Sequence, residues 1–66
     1  MKVVWKKLVG KRVLVSYRLL WKYPKVFEVK VLEVSSSGKF VKLEHCDDGM
    51  TEWRSVGTIR LVDILD

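Results

Sequence analysis

The sequence predicts an all-β fold, and three observations carry that prediction. Apolar and polar residues alternate at period two through most of the chain. Turn-forming residues recur at intervals of roughly ten positions, and no long stretch has the three-to-four spacing of an amphipathic helix. The 66 residues are read as one domain, 1–66, which buries only about 60% of the surface of its unfolded chain. Domains this small often lean on disulfides or a metal. Cys46 is the only cysteine, so no internal bridge can form, and His45 beside it has no second His or Cys to complete a zinc site. Stability is left to packing, for which 48% hydrophobic residues and three tryptophans supply the material.

The elements follow in order. Trp5, Leu8 and Val9 have the spacing of one helical turn, or form a short lead-in strand, and Trp5 packs over the bottom of the fold or serves as an exposed contact. In "KRVLVSYRLL", Val13, Val15, Tyr17 and Leu19 share one face, with Arg12, Ser16 and Arg18 on the other. "VFEVKVLEV" sets Phe27, Val29 and Val31 against Glu28 and Lys30, and then the apolar parity flips to Leu32 and Val34. Such a flip marks a bulge or bend. "SSSG" is a hairpin loop in which Gly38 supplies a positive φ. "KFVKLEH" turns Val41 and Leu43 inward, "DDG" reverses the chain, "MTEWRS" returns it, and "TIRLVDIL" adds a last strand after a turn at Gly57. Five short strands result. Closure of the sheet removes exposed edges, so the expected architecture is a small five-stranded SH3-like barrel.

"EHCDDGMTEW", Glu44 to Trp53, gathers the residues most suggestive of chemistry. Adjacent Asp47 and Asp48 point to opposite faces if extended, so they do not form an acid/base pair. A calcium loop closes with a Glu about six residues after its glycine, and Glu52 follows Gly49 too soon. His45 and Cys46 are neighbours on a strand and face apart, which opposes a nucleophile–base arrangement. Turn chemistry explains the stretch better. Asp-Gly between alternating apolar runs is a strong hairpin signal, and Trp53 has the register to send its ring into the core. His45 is read as a strand-surface residue and Cys46 as a small residue of the core or of a neighbouring cage. No catalytic residue, metal or cofactor is expected.

Four segments, "LVGKRVLVSY", "KVFEVKVLEV", "GKFVKLEHCDDGMTEW" and "IRLVDIL", resemble the Tudor-type barrels. That family opens with a Val-Gly-x-x-Val strand, continues with aromatic-Glu-x-x-Val, and ends with Tyr-x-Asp-Gly-x-x-Glu before a final apolar strand. The resemblance implies a five-stranded barrel that binds rather than catalyses. Such domains commonly hold a methylated lysine or arginine in an aromatic cage by cation–π attraction, and relatives use the same surface for nucleic acid or unmodified protein. Trp21, Tyr23 and Phe27 stand where the family places cage rings. Cys46 departs from the pattern, since the family usually has an aromatic there.

Charge completes the reading. Residues 1–33 hold nine Lys or Arg against two Glu, a net of +7, whereas residues 34–66 net −2. A basic half attracts phosphate or an acidic partner, although lysines also keep strand edges soluble. In "YRLLWKYPK", Trp21 and Tyr23 alternate with Arg18, Lys22 and Lys25. Rings beside cations stack on bases while the cations track phosphates. They equally form the centre of a protein interface, or Trp21 simply covers an open barrel end. The expected function is a non-catalytic module binding nucleic acid through Lys6, Lys7, Lys11, Arg18, Trp21, Lys22, Tyr23, Lys25 and Phe27. The alternative is a small regulator docking on a larger protein through the Trp21/Tyr23 loop. One free thiol and no secretory segment point to a cytoplasmic setting, and no apolar run approaches the roughly 20 residues of a membrane span. The absence of Ala, Asn and Gln beside abundant charge is a thermophile tendency.

Overall fold

The computed structural model describes residues 3–17 and 25–66. Five strands form one antiparallel sheet: β1 (Arg12–Tyr17), β2 (Phe27–Val34), β3 (Phe40–His45), β4 (Thr51–Ser55) and β5 (Ile59–Ile64). Short 3₁₀ turns precede β1 (Trp5–Leu8) and β5 (Val56–Thr58). β-branched residues fill the inward positions, where a pleated and half-buried surface favours them. Val13, Val15, Val29, Val31, Val41 and Leu43 are fully buried, and Trp5, Leu8, Tyr17 and Ile59 close the core around them. Trp5 thus packs over the core, while Val9 of the same turn is exposed.

Turns and bulges set the register. Gly38 and Gly49 have positive φ, 75° and 74°, a region glycine enters without steric cost. In the second turn Asp48 Oδ1 accepts the Met50 N–H at 2.9 Å, and Asp47 Oδ1 accepts the Asp48 N–H at 2.8 Å. Both aspartates therefore serve the turn. The β2–β3 register shifts between Val31 and Glu33, where the apolar parity of the sequence flips. A second shift lies opposite Leu14 and Val15, where β5 carries the extra residue Val62.

Three expectations are corrected. The strand order β4-β3-β2-β1-β5 leaves β4 and β5 as edges, so among the described residues the sheet is not closed into a barrel by backbone pairing. Trp53 is 49% exposed rather than in the core. Its register explains this: Leu43 pairs with Glu52 and Lys42 with Trp53, and residues directly opposite share a face. Because Leu43 points inward, Glu52 does too, and Trp53 is sent outward. Of the two places expected for Cys46 the core is ruled out: it is exposed, because it lies past the end of β3, where the chain enters the Asp47–Gly49 turn, and it stands beside Phe27 on a cleft wall. Among the described residues no helix is long and apolar enough to cross a membrane.

Candidate functional site

Where β1 ends and β2 begins, four strands bring polar and aromatic side chains together. Tyr17 is the last residue of β1, Phe27 the first of β2, and His45 the last of β3, with Glu52 and Arg54 on the inward face of β4. Tyr17 Oη donates to Glu52 Oε2 at 3.1 Å and lies 3.1 Å from His45 Nε2. With its proton on Nε2, His45 also donates to Glu52 Oε2. Arg54 Nε donates to Glu52 Oε1 at 2.5 Å, and its guanidinium lies 4.6 Å from the centre of the Tyr17 ring. Phe27 packs against Tyr17 at 5.0 Å and edge-on to His45 at 6.1 Å. The carboxylate thus replaces with side-chain donors the water it loses, as a half-buried charge requires.

The electrostatics follow from that closure. Burial, then the Glu52 charge and its hydrogen bond, push the Tyr17 phenol up to about 12, with Arg54 opposing. Burial also pushes the Glu52 carboxyl up, but hydrogen bonds from His45, Arg54 and Tyr17 outweigh it and hold the group below its ordinary value. Tyr17, His45 and Arg54 each direct a donor at Glu52, which makes the cluster a clasp between β1, β3 and β4.

Two shallow clefts flank the clasp. One of about 360 Å³ is lined by Lys25, Val26, Phe27, Glu28, His45, Cys46 and Asp47. The other, of about 420 Å³, continues past Phe27 and His45 to Met50 and Thr51. Lys25 Nζ sits 5.3 Å from the Phe27 ring centre, so two rings of the site, Tyr17 and Phe27, already carry cations from this chain. Cys46 lies on the cleft wall, its thiol pushed up by partial burial and by the Glu28 carboxylate, the opposite of an activated thiolate. Among the described residues no group of three His, Cys, Asp or Glu side chains is arranged to hold a metal ion.

The binding residues expected from sequence fall into separate places. Arg18, Trp21, Lys22 and Tyr23 lie outside the described residues. Lys25 and Phe27 line the cleft just described. Lys6, Lys7 and Lys11 are exposed around the N-terminal 3₁₀ turn, roughly 13 Å along β1 from the level of Phe27 at 3.3 Å per residue. The structure therefore does not unite them with Lys25 and Phe27. At their own end a groove of about 380 Å³ is lined by Val3, Val4, Leu8, Leu61 and Ile64 together with Lys7 and Lys11.

Sequence reasoning missed this groove, because Leu61 and Ile64 come from the far end of the chain. It also missed the clasp, whose signal was the polar pair Glu52 and Arg54 flanking an apolar Trp53. No protein-family model, curated protein or solved structure matches this chain.

Proposed function

We propose that the protein is a non-catalytic binding module, a variant of the SH3-like, Tudor-type barrel, whose partner is a protein presenting an acidic segment with apolar side chains. The groove carries this reading. Exposed Val3, Val4 and Ile64 with partly buried Leu61 offer apolar surface, and Lys7 and Lys11 stand on its walls. Apolar side chains of a partner fill such a groove while its carboxylates meet the lysines, which steer encounter and fix register.

The charge of residues 1–33 favours a second reading, nucleic acid. At the groove itself it is the weaker one, because Trp5, the ring nearest in sequence to Lys6 and Lys7, is buried and offers no base a stacking surface, while Trp21 and Tyr23, the rings expected to stack, lie outside the described residues.

Titration of the isotope-labelled chain separates the two. A Leu- and Glu-rich amphipathic peptide should shift the amide signals of Val3, Val4, Leu61 and Ile64, and Ile64→Ser should weaken binding about tenfold or more, as loss of an apolar anchor does. If that peptide leaves the signals unmoved while short oligonucleotides bind with a log–log salt slope of roughly −2 to −4, the nucleic-acid reading replaces it.

A further inference from the structure

We propose that two copies of this chain associate edge to edge through β4, about a two-fold axis at Trp53, to form one continuous sheet. Among the described residues β4 pairs with β3 on one side only. The bonds His45 N–H to Met50 C=O (2.8 Å) and Val56 N–H to Lys39 C=O (2.9 Å) fix the hydrogen-bonding phase of the hairpin. Bonded and non-bonded pairs alternate in an antiparallel ladder. Leu43/Glu52 and Val41/Arg54 are therefore bonded pairs, and the N–H and C=O groups of Thr51, Trp53 and Ser55 point away from β3.

Those outward groups match a second copy of themselves. In an antiparallel pairing centred on Trp53, Trp53 meets Trp53 of the other copy, Thr51 meets Ser55, and Glu52 meets Arg54. The three outward residues then form bonded pairs, so every outward N–H and C=O of β4 has a partner. Opposite charges face each other at both flanking positions, a cross-strand arrangement that stabilises a ladder. Such a two-fold, self-complementary contact is the ordinary geometry of a homodimer.

The outer face supplies the apolar part. Trp53 and Phe40 are about half exposed, and they sit diagonally on the same face, since Lys42 faces Trp53 and Phe40 faces Ser55. Pairing brings both Trp53 rings together between the two Phe40 rings. The other edge is protected differently. Val62 is an extra residue that interrupts the phase of β5, and bulges are a common means of blunting an edge. β4 has no bulge, no proline and no lysine.

Sedimentation analysis of the full chain over a range of concentrations tests this. Wild type should show a monomer–dimer equilibrium, and Trp53→Lys should weaken it about tenfold or more while the chain still melts cooperatively, as loss of a central Trp does at an interface. A second variant guards against misfolding. Ser55 has φ −67°, the value proline imposes, and its N–H points outward. Ser55→Pro should therefore keep the fold and weaken the dimer. A chain that stays monomeric at the highest concentrations, a ring or filament larger than a dimer, or a dimer indifferent to both substitutions would overturn the proposal.

Discussion

Glu52 and Tyr17 titrate outside their ordinary ranges in opposite directions, and each predicts a pH limb of stability. The Glu52 carboxyl is pushed up by burial but held below its usual value by its three donors. A depressed folded-state value stabilises the native chain above roughly pH 4, the ordinary carboxylate range, and that contribution is lost as pH falls through the folded value. Glu52→Gln should lower stability at neutral pH by about 1–2 kcal/mol and flatten the acid limb of urea midpoints against pH. Tyr17, raised to about 12 by burial and then by Glu52, gives the mirror case. Its contribution is complete below roughly pH 10, where an unfolded tyrosine begins to ionise, and is lost as pH rises through the folded value. Tyr17→Phe should remove that alkaline limb. At the same scale, Leu43→Ala should cost about 2–5 kcal/mol by leaving a core cavity. Trp53→Ala should cost about 1 kcal/mol or less in the monomer, the range of most exposed sites. Denaturant midpoints at low protein concentration compare them, and equal costs would place Trp53 in the core after all.

Elements were legible where backbone chemistry writes itself into sequence. The flip from Val31 to Leu32 announced the bulge found between Val31 and Glu33, because period two admits no other reading of a change of face. Asp-Gly and Ser-Gly announced both hairpin turns. Gly49→Val should destabilise by about 1–2 kcal/mol, the cost of a left-handed conformation for a residue with a Cβ, and Gly49→Asn by less, since Asn tolerates that region. Thermal midpoints of the two variants check the order. The face of β4 was not legible. A tryptophan between two charged residues reads as the inward one by hydrophobicity alone. Whether Glu52 and Arg54 could turn inward depended on Tyr17 and His45 waiting there as partners, and nothing local to β4 reports that.

For the molecule as a whole, the number of strands and the valine-rich core could be read from the chain, whereas its edges and its surface grouping could not. Closure is a long-range property, and among the described residues β1 and β4 are joined by the Tyr17–Glu52 hydrogen bond rather than by a ladder. Among the described residues of the basic half, Lys6, Lys7 and Lys11 likewise do not share a site with Lys25, because the length of β1 separates them. The open sheet makes its covers important. Trp5 and Leu8 pack against the core from the N-terminal 3₁₀ turn, so Trp5→Ala should cost about 3–5 kcal/mol, a large share of the 5–15 kcal/mol typical of a folded domain. Calorimetry should then show a broad, early transition. An unchanged one would make the turn an ornament to the sheet.

The strand order also dictates a sequence of events in time. β2, β3 and β4 are joined by tight turns, but β5 pairs with β1, so that Tyr17 meets Ile59 from the opposite end of the chain. Hairpins close cheaply and early, whereas a pairing that spans most of the chain bears a larger loop-closure entropy. The β2–β3–β4 meander is therefore the natural nucleus, with β5 docking after the rate-limiting barrier. In stopped-flow experiments Val41→Ala should slow refolding, while Ile59→Val should leave refolding unchanged and accelerate unfolding. Persistence against transient opening would then be governed at β5, the last strand to arrive and the first to leave.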